Sequence, residues 1–175
     1  MTGNVFRIAV LLAVFATLMA CASKPEPRET PRPPPAPERD VIAEVRAAGA
    51  DAGDGLDVTP LRDPAVTDLR DAATRHEAAR AYAEADAALV QALGLTPGDP
   101  ELTQWRAELA LAQGRYDDAV QLANASWENG PRLGGLCRRN WSAIRIAREL
   151  SGYPAAATAA AAQIARCTVE PPVRM

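Results

Sequence analysis

Hydrophobic positions fall into three zones along this chain. Ile8–Met19 is an apolar run, interrupted only by Thr17, that follows Arg7. Residues 22–39 contain no apolar run, and from Asp63 onward apolar residues recur every three or four positions. About a dozen apolar residues behind a positive charge are typical of a signal peptide and too few to span a bilayer. Recurrence at three and four residues predicts amphipathic helices. The pattern therefore predicts a cleaved leader, an extended connection and a helical body.

The leader ends in Leu18-Met19-Ala20-Cys21, which resembles a bacterial lipobox. The resemblance implies that residues 1–20 are removed and that Cys21 carries a diacylglyceryl thioether and an acylated amine, so the chain would incorporate palmitate. Several acyl chains anchor a protein far better than one. Ala22 stands where an Asp would imply retention in the inner membrane, which implies an outer-membrane lipoprotein facing the periplasm. The alternative is an ordinary signal peptide followed by a chance cysteine.

Proline dominates the segment after Cys21. Seven of the 15 prolines lie between Pro25 and Pro37. Proline removes amide donors and favours an extended polyproline II chain of ~3.1 Å per residue, so residues 22–39 could reach ~55 Å. We interpret this segment as a spacer; the alternative is that it contacts the cell wall or a partner. Val41–Ala50 has helical spacing and predicts one short helix, and the Gly- and Asp-rich residues after it predict a loop.

The strongest signal in the body is a repeat. Three pairs of residues lie 34 apart: Tyr82 and Tyr116, Ala85 and Ala119, and Pro97 and Pro131. An aromatic residue, a small residue three later and a proline twelve after that, at this period, resemble the tetratricopeptide repeat. Asp63-Pro64 and Asp99-Pro100 suit the starts of first helices, and Gly114 suits the turn to a second helix.

A third unit is shifted by four residues. Gly152 follows Gly114 by 38 residues, and Tyr153-Pro154 begins an Ala-rich segment through Arg166. Arg80 stands where the first unit would have its turn glycine, so the first and third units are degenerate. The sequence predicts an all-α, tetratricopeptide-like solenoid of about three repeats; the alternative is a helical bundle with chance spacing. The predicted parts are a leader (1–20), lipidated Cys and tether (21–39), short helix and loop (40–62), repeat domain (63–167) and tail (168–175).

Two cysteines are placed symmetrically about the third turn. Cys137 precedes Gly152 by 15 residues and Cys167 follows it by 15. Both would then lie at the open end of one hairpin, and an oxidising compartment favours a disulfide between them. The alternative is a pair of buried free thiols.

A row of polar side chains follows the predicted first helix of the third unit, at three- and four-residue steps. Its members are Arg138, Arg139, Ser142, Arg145 and Arg148. Forked guanidinium groups suit carboxylate partners. The resemblance implies that first helices line a concave groove for a protein or peptide, so these residues are candidates for binding an acidic partner segment. The alternative is a solvated helix face.

Composition sharpens this picture. The chain has 38 Ala, and both Phe lie in the leader, so the core would be small-residue helix packing. A net charge of -3 does not suggest nucleic-acid binding. No catalytic motif, cofactor site or metal spacing is found, and His76 fits a groove or core position, so we expect no enzyme. The resemblances imply a protein-binding adaptor in envelope assembly (cell-wall, pilus or secretion, or outer-membrane biogenesis); the alternative is a structural spacer that binds peptidoglycan.

Overall fold

Three helical hairpins follow one another along the body of the protein. The computed structural model describes residues 39–50 and 63–168, and these contain seven helices and no strand. They are α1 (Val41–Gly49), α2 (Pro64–Ala78), α3 (Tyr82–Leu95), α4 (Pro100–Ala112), α5 (Tyr116–Asn129), α6 (Gly134–Leu150) and α7 (Pro154–Arg166). The predicted leader, Cys21, residues 22–38, the loop 51–62 and the tail from residue 169 lie outside the described residues.

Helix starts follow from local chemistry. The Asp63 carboxylate accepts from the Ala65 amide at 2.8 Å, and that of Asp99 accepts from Glu101 and Leu102 at 2.8 and 3.1 Å. These bonds satisfy amides that have no partner within the helix, and the proline after each Asp has no amide to satisfy. Both first helices therefore begin where the Asp-Pro pairs predict.

The three hairpin turns share one backbone conformation. Its left-handed residue is Gly114 (φ 72°), Gly152 (φ 79°) and, in the first repeat, Arg80 (φ 57°). The amides of Ala81, Arg115 and Tyr153 donate five residues back, to the carbonyls of His76, Ala110 and Arg148, at 2.9, 2.9 and 2.8 Å. This is the Schellman pattern of a helix end. The shared turn places all three repeats in register, including the shifted third one.

The core is stacked in two clusters. One lies mainly between the first hairpin and α4, and the other lies between α4 and the third hairpin. Ala85 and Ala119 are fully buried, as expected where helices cross closely. His76 is exposed, so a core position for it is wrong; it lies in the last turn of α2, beyond the buried Ala73. Helix α1 contributes to both clusters, with Ile42 in one and Val45 in the other.

Candidate functional site

The site that the sequence pointed to is the surface of α6, and the structure covers it with α1. Helix α1 packs on α6 and α4, in the stretch where the sequence predicted one short helix. These are first helices of their repeats, the set that was expected to line the concave groove. We call the surface of α2, α4 and α6 that contacts α1 the groove.

Two glycines allow the end of α1 to approach the start of α6. A Cβ atom on Gly49 would lie 2.6 Å from Cγ of Arg139, and one on Gly135 would lie 2.7 Å from the Gly49 carbonyl oxygen. Real Cβ atoms are not found this close to backbone atoms, so a side chain at Gly135 would force the two helices apart. Close approach of the backbones is therefore built into this contact.

Arg46 joins α1 to the acidic side of the groove. Its guanidinium donates to both carboxylate oxygens of Glu77 on α2, at 2.7 and 2.9 Å, and to Glu108 on α4 at 2.9 Å. Burial of Arg46 opposes its charge, but the hydrogen bonds and charges of the two carboxylates outweigh burial and raise the pKa of Arg46 above its usual range. Arg46 therefore remains charged in this site.

Glu108 is the most deeply placed of these charges, because its side chain has no exposed surface. In addition to the hydrogen bond from Arg46, the Glu108 carboxylate accepts hydrogen bonds from Nε and Nη2 of Arg139, at 2.9 and 2.6 Å. A buried carboxylate is tolerated only when it is paired in this way. Trp105 lies beside the pair, with its ring centroid 5.9 Å from the Arg46 guanidinium and its indole donating to Glu77.

The basic side of the groove binds the two ends of α1. Arg138 donates to the carbonyl oxygens of Ala48 and Gly49, at 2.9 and 3.3 Å. These carbonyls end α1, where partial negative charge collects and no amide of the helix can reach. At the other end, Arg145 donates to the Glu44 carboxylate and to Glu149.

Glu44 is held by two arginines. Hydrogen bonding to Arg39 is the main reason that the pKa of Glu44 lies below its usual range; burial opposes this, and Arg145 adds to it. Arg39 also reaches Glu149 at 3.3 Å, so it links the start of α1 to α6. Charged side chains therefore bind α1 at three places: at Glu44 near its start, at Arg46 near its centre and at the carbonyls of its last turn.

The predicted binding row is thus not an exposed face. Arg138 and Ser142 are buried, while Arg139 and Arg145 are half-buried and bonded within the chain. The alternative of a solvated helix face is therefore wrong for these four residues, because spacing alone cannot show which side chains another part of the chain covers. Arg148 points elsewhere, to Asp117 at 3.4 Å and over the ring of Tyr153. Binding of a partner by these residues stays a prediction.

Sequence reasoning missed four residues of this site: Glu44, Arg46, Glu77 and Glu108. Glu108 offered a signal, since a carboxylate inside the apolar run Ala107–Ala112 requires a buried cation as partner. The single arginine of α1 was the matching signal, since apart from Glu44 the other residues of this helix are small or apolar. Which arginine pairs with which carboxylate depends on how α1 packs against α4. The sequences of these two helices do not specify that packing.

The last hairpin is closed at its open end. Cys137 and Cys167 form a disulfide with Cα atoms 5.6 Å apart, and the Gly134 amide donates to the Cys167 carbonyl at 2.7 Å. Trp127 packs edge-on against Trp141 with centroids 5.4 Å apart, which joins the second repeat to the third. The disulfide holds α6 to the end of α7, and the tryptophan pair holds α6 to α5. Contacts with both neighbouring helices therefore fix the position of α6.

Within residues 39–50 and 63–168, His, Cys, Asp and Glu side chains form no group of three that could hold a metal ion. Among the helices in these ranges, none is both long and apolar enough to cross a bilayer.

Comparison with known proteins agrees with this architecture. A family model described as tetratricopeptide repeat matches residues 76–132, and no curated protein sequence matches the chain. Among solved structures, the globular C-terminal domain of LpoP from P. aeruginosa is similar, with 26% identity and a TM-score of 0.56. The match covers 60% of this chain and 99% of that domain. The described body is therefore an all-α, tetratricopeptide-like solenoid of three helical hairpins.

Proposed function

We propose that this protein is an outer-membrane lipoprotein that holds a protein partner of the envelope-assembly machinery on a tetratricopeptide-like domain. The observation that carries the proposal is the repeat fold, with the groove on its first helices and its likeness to the LpoP domain. Helical repeat proteins characteristically bind partners on the concave surface that their stacked repeats form. The lipobox at Cys21 and the proline-rich tether support attachment to a membrane on the periplasmic side.

The groove suits a partner segment that carries both signs of charge. It presents Glu77 and Glu108 on one side and Arg138 and Arg145 on the other, at the distances described above. A segment with a cation near its centre and a carboxylate before it is therefore complementary, whereas a purely acidic peptide would face Glu108. This narrows the acidic partner expected from the sequence to one of mixed charge.

We also propose that the protein acts without catalysis. Glu77 and Glu108 are both bound to arginine. Arginine does not exchange protons near neutral pH, and both oxygens of each carboxylate already accept hydrogen bonds from arginine. The charges of the groove are better suited to recognition than to proton transfer.

Anchoring is tested by labelling cells with radioactive palmitate. The wild-type chain should incorporate label, and Cys21→Ala should abolish incorporation. Ala22→Asp is the matched control: it should keep the label but move the chain from outer-membrane to inner-membrane fractions. Unchanged labelling of Cys21→Ala would contradict the lipid anchor.

Partner binding is tested by photocrosslinking in intact envelopes. One variant carries a photoreactive residue at Glu149, at the edge of the groove, and its control carries it at Gln121, on the exposed surface of α5. We expect one protein band from position 149 that is absent from position 121. Crosslinks to peptidoglycan without a specific protein band would favour the structural spacer instead.

A further inference from the structure

Helix α1 occupies the groove as a ligand would. It buries Ile42 and Val45, inserts Arg46 between two carboxylates of the body and offers its last carbonyls to Arg138. Every other described helix forms a hairpin with a neighbouring helix of the chain, whereas α1 packs on α6 and α4, which are distant from it in sequence. It is joined to α2 through residues 50–63, a covalent connection that would keep it at an effective concentration on the order of millimolar.

The contacts of α1 suggest that it can leave. The helix has nine residues, and a helix this short is marginal in water, so it depends on the groove for its structure. Two of its side chains are buried and apolar. The ion pairs of Glu44 with Arg39 and Arg145 are partly exposed and contribute little individually, so the pair of Arg46 with the buried Glu108 is the main charged contact that holds the helix. The hairpins below are held by the two core clusters and by the disulfide.

We propose that α1 is a displaceable intramolecular ligand that keeps the groove closed, and that a partner binds by replacing it with a helix of the same pattern. That pattern is two β-branched residues three apart, an acidic residue before the second and an arginine after it, as in Ile42–Arg46. The acidic pair Glu77 and Glu108 recognises the arginine. Arg138 binds two carbonyls of the last turn of α1, a turn whose carbonyls have no amide partner within the helix.

Displacement would also change the reach of the body. With α1 in the groove, residues 22–39 separate Cys21 from the body; with α1 released, residues 22–62 do so. A chain spans at most ~3.3–3.6 Å per residue, so the maximal reach would more than double. This consequence rests on the proposed lipid anchor, but the closure of the groove does not.

The test uses a fluorescent peptide of residues 39–50 and the full-length chain in detergent. Anisotropy titrations compare the wild type with Arg46→Ala, which weakens the resident helix, and with Ala47→Gln, a neighbouring exposed position of α1. We expect the peptide, which retains its own arginine, to bind Arg46→Ala with a Kd at least tenfold lower than the wild type. Ala47→Gln should match the wild type.

Equal affinity for all three chains would overturn the proposal, as would no binding to an Arg46→Ala chain that keeps its helical circular dichroism. If the Arg46→Ala variant fails to fold, amide hydrogen exchange of the wild-type chain tests the proposal instead. Amides of α1 should then exchange at least tenfold faster than those of α4, and equal protection would make α1 a fixed part of the fold. Neither measurement uses a partner, so their failure is separate from a failure of photocrosslinking.

Discussion

Arg46 and Glu108 lie 62 residues apart in the chain and are joined by a hydrogen bond of 2.9 Å. The carboxylate is fully buried, while the arginine is 41% exposed. The pair therefore joins a partly exposed arginine of α1 to a carboxylate in the interior of the groove. Because Glu108 is also paired with Arg139, its buried charge still has a partner when Arg46 is removed.

Arg46→Ala should lower the free energy of unfolding by about 1–3 kcal/mol. This is the range for hydrogen bonds to charged groups, and it lies below the ~3–5 kcal/mol for breaking an isolated buried pair because Arg139 remains. The measurement is urea denaturation followed by circular dichroism. Arg115→Ala is the control: its pair with Asp118 is exposed, so the loss should be under about 0.5 kcal/mol. Equal losses would contradict the role assigned to Arg46.

Arg80→Gly should stabilise the protein by about 0.5–1 kcal/mol. Arg80 adopts φ 57°, the left-handed conformation that Gly114 and Gly152 adopt in the other two turns. A side chain there costs roughly 1–2 kcal/mol, and the extra freedom of glycine in the unfolded chain offsets part of the gain.

The reverse change is its control. Gly114→Ala, at φ 72°, should lower stability by about 1 kcal/mol. Thermal unfolding of both variants measures the difference. If Arg80→Gly is also destabilising, the turn of the first repeat is not strained.

Helix positions were predictable because their signals are local. Asp-Pro pairs mark the starts of α2 and α4, and Gly114 and Gly152 mark turns. Arg80 could not be recognised in this way, since arginine has no preference for a positive φ and adopts it here because the two helices of the hairpin impose it. The arginine row of α6 was visible as a pattern, but the partners of Arg138 are carbonyls at the end of α1, 90 and 89 residues away. Every residue has such a carbonyl, so the sequence does not mark these two as partners.

The Cys137–Cys167 disulfide should contribute about 3–4 kcal/mol, the loop-closure value for its separation of 30 residues. The double variant Cys137→Ser/Cys167→Ser, or reduction of the wild type, should lower the urea midpoint accordingly. Reductant should not affect the double variant, which makes it the control. Ellman titration of the unfolded, unreduced mature protein should find neither thiol, and two reactive thiols would refute the pairing.

Acid should release α1 before it unfolds the hairpins. The folded pKa of Glu44 is lowered by Arg39 and Arg145, so its contribution is fully present above the ordinary glutamate pKa of about 4.3 and is lost as pH falls through the folded value. The charged groups that face Glu44 are Arg39 and Arg145, which also bind the carboxylate of Glu149, and arginine keeps its charge over this pH range. We therefore expect no change between pH 5 and 8 and progressive release of α1 below about pH 4.

The indole N–H resonance of Trp105 reports this release, because Trp105 donates to Glu77 beside Arg46. Its shift should follow pH in the wild type, and Glu44→Gln should flatten the curve and leave α1 looser even at pH 7. Asp117→Asn is the control, since that carboxylate is 83% exposed and lies away from α1. If the pH curve of Glu44→Gln superimposes on that of the wild type, protonation of a group other than Glu44 causes the change. The ion pairs at the start of α1 would then not be what holds α1 in the groove.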